Sequence, residues 1–201
     1  MESDFKIAVI GLGIIGGSMA YALRGFRNAK ITGCDTDSET LRLASERGAV
    51  DEAYPESERA IKDADLVIIA TYPDSIVKIV KDNAGCFKPG AVITDICGVK
   101  SRVSKEIEAV LQSGVYYVGS HPMAGKEVEG FTHAEAGLFR DCGFIITPSS
   151  ASDKKSVRLI YEMAEYMGAG KIAVSTPYEH DEIIAYTSDL MHIAACGLCL
   201  D

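Results

Sequence analysis

The sequence has no uncharged apolar run near the ~20 residues of a membrane-spanning helix, and no basic start followed by an apolar stretch. A soluble, cytoplasmic protein is therefore expected, without membrane insertion or export. Lys and Arg are few and scattered: 20 basic residues face 29 acidic ones, for a formal net charge of −9. No basic face exists for nucleic acid, and an anionic ligand must be met by local groups. The six cysteines, Cys34, Cys86, Cys97, Cys142, Cys196 and Cys199, form no secreted-domain framework, and reduced thiols packed as small apolar groups are expected. "CGLC" at 196–199 has redox spacing but stands in an apolar helical pattern, with no second pair to complete a zinc site, so no metal is expected. Internal repeats, low-complexity tracts and Pro/Ser linkers are absent too.

What is present is a chain of 201 residues, 47% hydrophobic and 24% charged, enough for one domain plus an appendage. It opens with "FKIAVIGLGIIGGSMAYALRG", a short strand-like run followed by glycines at 11, 13 and 16 and then a helical pattern. In that order each glycine has a use. Gly11 permits a tight turn, Gly13 lets a pyrophosphate approach the backbone, and Gly16 lets the helix lie close on the strand. The free N–H groups around Ile14 and Ile15 then face the anion. A second strand-like run ends at Asp35, about 20 residues further on, where a carboxylate can accept from ribose hydroxyls. That carboxylate would repel a 2′-phosphate and "TDSET" after it supplies no arginine, so NAD is favoured over NADP. Asp35 as a helix cap is the competing reading, although Asp37 or Ser38 can serve there.

Apolar runs continue in "ADLVIIATYP", "GAVITDICG", "VYYVGSHP" and "GFIITP", separated by helical stretches at 74–84, 101–112 and 153–168. This pattern predicts an α/β fold with a doubly wound, mainly parallel sheet of Rossmann type. The only candidate boundary falls near Thr176, giving a dinucleotide-binding domain over 1–175 and, over 176–201, the first helix of an all-helical second domain that the chain ends too early to complete. In such sheets ligands sit at the carboxyl ends of the strands, which selects Tyr72 and Pro73, the segment 95–100, and the segment from His121 to Lys126. His121 would stand in a polar, turn-prone setting at the rim of the crevice, where an imidazole can take a proton from a hydroxyl as hydride leaves the same carbon. Pro122 restricts the backbone of His121 to extended conformations. A loop-filling histidine is the bland alternative.

"GLGIIGGS", "DICGVK" at 95–100, "GSHPMAGKEVEG" at 119–130 and "HDEIIAYTSDLMH" at 180–192, in this order, resemble the prephenate dehydrogenase family, which includes cyclohexadienyl and arogenate dehydrogenases. The resemblance implies NAD-dependent oxidative decarboxylation of prephenate to 4-hydroxyphenylpyruvate, in tyrosine biosynthesis. It implies that His121 is the catalytic base, that Glu127 and His192 bind substrate, and that Gly98 lies with Tyr72 and Pro73 at the cofactor. It also implies a homodimer through the helical domain. Gly98 replaces a serine that many members carry and Asp189 a histidine; the latter would favour arogenate or raise a neighbouring histidine's pKa. Lys126 remains as the local cation for a substrate carboxylate.

On a regular helix Ser188 and His192 share a face, while His180 is turned from His192 by about a third of a circle. His192 is therefore expected at the crevice, and His180 in a structural role at the helix start. The apolar segment 183–200 predicts self-association. A chain holding only the cofactor domain and one further helix is expected to bind NAD with weak or absent turnover. Another hydroxy-acid dehydrogenase of similar plan, or a non-catalytic NAD-sensing module, are the alternatives.

Overall fold

In β1 (Lys6–Ile10) successive side chains leave opposite faces, so Ile7 and Val9 enter one hydrophobic cluster while Ala8 and Ile10 enter another. β4 (Leu66–Ile69) divides the same way, Leu66 and Ile68 against Val67 and Ile69. Strands apolar on both faces need cover on both. In the computed structural model, which describes residues 5–189, two helical layers provide it. Met19 of α1 (Ile14–Ala22), Ala44 of α2 (Ser38–Glu46) and Ile160 and Met163 of α6 (Lys154–Tyr166) lie in the first cluster. Ile61 of α3 (Ser57–Ile61), Ile76 and Val80 of α4 (Pro73–Asp82) and Val103 and Ile107 of α5 (Ser101–Glu108) lie in the second.

The remaining strands are β2 (Lys30–Cys34), β3 (Glu52–Tyr54), β5 (Val92–Asp95), β6 (Tyr116–Met123), β7 (Gly143–Pro148) and β8 (Lys171–Val174), and the sheet runs β3-β2-β1-β4-β5-β6-β7-β8. The chain goes from β1 outward through β2 and β3, then returns to the other side of β1 at β4, so the crevice of a doubly wound sheet falls between the ends of β1 and β4. All neighbours are parallel except β6 and β7. The connection from Met123 to Gly143 contains one short 3₁₀ turn, Phe131–His133, and no crossover helix, so β7 returns antiparallel. The expected mainly parallel, doubly wound α/β sheet is therefore observed.

Two local features depart from expectation. β6 does not end before the His-Pro step: it runs to Met123, and His121 sits within it, paired with Ile145 of β7. β5 pairs with β6 only through Val92 and Ile93 opposite Tyr116 and Tyr117, so Pro122 falls beyond β5, where a strand tolerates a residue that cannot donate. The second is in α7 (Pro177–Ile184), which begins with a capping box between Thr176 and Glu179 but passes at Ala185–Asp189 into a π-helical turn. A π turn carries an extra residue and moves the helical phase by about 100°, so the angular comparison of His180 with His192 does not hold across it. His192, Cys196, Cys199 and most of the segment 183–200 lie outside the described residues. Among the described residues no helix is long and apolar enough to cross a membrane, and Cys34, Cys86, Cys97 and Cys142 are free thiols.

Candidate active site

The three glycines meet different surroundings. Gly11 has φ of +87°, and a Cβ there would lie 2.5 Å from the carbonyl oxygen of Ala70. A Cβ on Gly16 would lie 1.9 Å from the Gly11 carbonyl oxygen, so no side chain fits between α1 and the turn. A Cβ on Gly13 would meet nothing within 4 Å. Gly13 therefore opens onto free space at the start of α1, whose first turn carries neither a side-chain cap nor an acidic residue. Unsatisfied N–H groups with open space before them suit an anion.

Asp35 follows β2 and reaches back to this turn: its Oδ2 accepts the Leu12 N–H at 2.7 Å and its Oδ1 accepts the Asp37 N–H at 3.0 Å. It does not cap α2. Asp37 does, accepting the N–H groups of Glu39 and Thr40. Asp35 thus ties the glycine turn to β2 and also lines a crevice of ≈ 420 Å³ with Gly11, Thr71, Tyr72 and Ser75. A second crevice, of ≈ 590 Å³, lies across Thr71 and Tyr72 and is lined by Gly13, Ile14, Ile15, Gly16, Ile96 and Lys126. Both volumes lie in the range of small-molecule sites. The Thr71 hydroxyl, shared by the two crevices, is buried without a hydrogen-bond partner, which makes it a candidate that the sequence reading missed. Pro73 is the first residue of α4 and Tyr72 its N-cap, 80% exposed with its ring free to lie against a ligand.

His121 is half-buried, and its Nδ1 lies 2.9 Å from Nε2 of His180. Its other edge faces Gly98, where a Cβ would lie 3.6 Å from Cε1 and 3.7 Å from Nε2. Gly98 thus sits against the imidazole, and His121 is neither sealed in the core nor turned to bulk solvent. Burial, then the Lys100 ammonium and His180, push the imidazole down to about 4 from its ordinary 6.5, so it is neutral at pH 7. His180, expected in a structural role at the start of the helix, is fully buried against His121, with Nδ1 2.9 Å from Oδ1 of Asp181. The "HD" pair at 180–181 is the sequence signal for this contact.

Beneath the imidazole Lys100 and Asp95 form an ion pair with both side chains fully buried. Asp95 also accepts the Tyr117 hydroxyl at 2.6 Å and the Cys97 N–H at 3.0 Å. Burial and the Asp95 carboxylate push the Cys97 thiol up to about 12, so it is an unreactive packing group at neutral pH. On the loop after β6, Lys126 pairs with Glu135 at 2.8 Å and lines the crevice at the glycine turn, while Glu127 is exposed.

A doubly wound sheet with an open glycine turn, a carboxylate beside it and a neutral imidazole at the carboxyl ends of its strands fits a dinucleotide-binding domain of dehydrogenase type. Residues 19–173 match the family described as "Prephenate dehydrogenase, nucleotide-binding domain", and the chain belongs to that family. Prephenate dehydrogenase of Bacillus subtilis is 32% identical over 194 residues, 96% of this chain and 52% of that protein. The crystal structure of Synechocystis arogenate dehydrogenase superposes with a TM-score of 0.89 at 30% identity, covering 98% of this chain and 68% of that one. A prephenate dehydrogenase from Aquifex aeolicus, in complex with hydroxyphenyl propionate and NAD+, gives a TM-score of 0.89 at 29% identity with the same coverages. The chain spans about half to two thirds of the length of the curated relatives it matches.

Proposed function

We propose that this chain is the cofactor-binding part of an NAD-dependent prephenate dehydrogenase, with residues 1–175 as the dinucleotide domain and 176–201 opening a helical domain that carries substrate and dimer contacts. The reaction is the oxidative decarboxylation of prephenate to 4-hydroxyphenylpyruvate and carbon dioxide, in the cytoplasm. NAD, when bound, supplies the hydride acceptor. The open space at Gly13 and the unpartnered Thr71 hydroxyl fit it. Backbone N–H groups from Ile14 to Gly16 would hold the pyrophosphate, Asp35 the adenosine ribose, and Thr71, Tyr72 and Pro73 the wall between the two halves, with Gly98 beside the reacting end.

The observation that carries this reading is the half-buried, neutral His121, which keeps Nε2 on the edge away from His180, beside Gly98. It accepts the proton of the ring hydroxyl as hydride departs from the same carbon, and aromatisation drives loss of the carboxylate. Lys126, Glu127 and His192 are assigned to the substrate. Arogenate is the second reading, favoured by the similarity to the Synechocystis arogenate dehydrogenase.

The test is NADH formation from NAD with prephenate or arogenate, by this chain and by the chain extended through a helical domain. Cofactor binding without turnover in both forms would favour a sensing module instead. The cofactor half is checked separately. Asp35→Ala removes both a ribose acceptor and the group holding the Leu12 N–H, so the Kd for NAD is expected to rise by about 10- to 100-fold, as for loss of a charged hydrogen bond. NADP, which the carboxylate repels, should lose less. Equilibrium titration of both cofactors decides, and an unchanged Kd for NAD would remove Asp35 from the site.

A further inference from the structure

Where β8 gives way to α7, the chain returns to the imidazole. His180 and Asp181 stand in the first two turns of α7, yet both reach across to the ends of β6 and α5. The carboxylate of Asp181 accepts the backbone N–H of Lys100 through Oδ1 and of Ser101 through Oδ2, each at 2.8 Å. These are the donors that open α5, and no side chain of α5 itself caps them. Burial pushes the Asp181 carboxyl up, but the Ser101 N–H, His180 and the Lys100 N–H more than offset this, leaving it below its ordinary value and ionised at neutral pH.

An ionised carboxylate can only accept. His180 must then donate from Nδ1 to Asp181. When the proton given to Asp181 is the only one on His180, its Nε2 presents a lone pair, and the 2.9 Å contact then has His121 donating from Nδ1. The remaining nitrogen of His121, Nε2, is left as a lone pair on the edge beside Gly98. With that proton count, reversing the bond between the two imidazoles would set two lone pairs against each other. The order of donors is therefore set from the far end, by the start of α5.

We propose that His180 and Asp181 are positioning residues that hold His121 in the Nδ1–H tautomer and fix its ring plane, so that the base is oriented from the first helix beyond the sheet. The proposal rests on the reaction assigned above for its purpose, but not for its geometry. A packing histidine at position 180 would be replaceable by an apolar residue without changing which nitrogen of His121 carries the proton.

The experiment is long-range ¹H–¹⁵N correlation of the chain with ¹⁵N-labelled histidine, without cofactor or substrate, between pH 7 and 8. Each of the four histidines is assigned by single substitution. His121 is expected as the Nδ1–H tautomer. His180→Leu should move it to a mixture or to the Nε2–H form, whereas His180→Gln, whose amide oxygen can accept from Nδ1–H, should retain it. In the NADH assay His180→Leu is expected to lose about 10²–10⁴-fold in kcat, with KM little changed and partial recovery in His180→Gln. An Nε2–H tautomer in the unaltered protein overturns the proposal, as does an unchanged tautomer in a folded His180→Leu. Should His180→Leu fail to fold, the spectra of the unaltered protein and of His180→Gln still decide. The expected tautomers without NADH formation from either acid would leave the positioning geometry standing and sink the reaction assignment.

Discussion

His121→Asn is expected to lower the rate of NADH formation by about 10²–10⁴-fold, the usual contribution of a general base, with the Kd for NAD changed by less than about twofold. The side-chain amide can replace Nδ1–H as a donor to His180, so the fold around the pair should persist. What it cannot supply is a basic nitrogen facing Gly98. The pH profile carries the more specific expectation. Burial first, then Lys100 and His180, hold the imidazole at about 4, so the acid limb of kcat/KM should centre near that value and activity should be level from about pH 5 upward. A limb near the ordinary 6.5 would mean a solvated ring without these neighbours. Stability follows the same group. Between about 4 and 6.5 the unfolded chain binds more protons at this position than the folded one, so stability rises with pH through that window and the contribution is complete above 6.5. His121→Asn should flatten that part of the pH dependence of the urea midpoint.

Lys100→Met is expected to cost about 3–5 kcal/mol, because it strands a carboxylate in the core. Both partners of the pair are fully buried, and the remaining contacts of the Asp95 carboxylate, the Tyr117 hydroxyl and the N–H and thiol of Cys97, satisfy hydrogen bonds without balancing the charge. The variant Asp95→Asn/Lys100→Met should recover part of the loss, since no charge then remains to be desolvated. Urea unfolding followed by circular dichroism measures both. A deficit below about 1 kcal/mol, as for an exposed ion pair, would show that the pair is hydrated in solution.

Much of this was legible in the sequence, for identifiable reasons. Runs such as "KIAVI" and "LVII" are apolar on both faces, which suits only strands covered by helices on both sides, and the order of strands and helices then fixes a doubly wound sheet. Each glycine of the turn met the surroundings its position implied. The edge strand β3, only three residues long, has too little alternation to be seen in sequence. The reversal of β7 depends on a connection without a helix, which composition does not reveal. Thr71 carries no motif and stands out only through its lack of a partner. The comparison of His180 with His192 was beyond the sequence because periodicity assumes a constant step, and the π turn at Ala185–Asp189 breaks that step.

That turn has a practical consequence for anyone editing this region. Deleting a single residue between Tyr186 and Ser188 would allow the backbone to relax into ordinary α-helical hydrogen bonding, which in isolation is the more comfortable state. Because five π residues span about the rotation and rise of four α residues, whatever follows would keep its bearing on the sheet. A one-codon deletion here would be absorbed, whereas the same deletion in the α-helical part of α7 would turn the downstream polypeptide by about 100° and draw it in by about 1.5 Å.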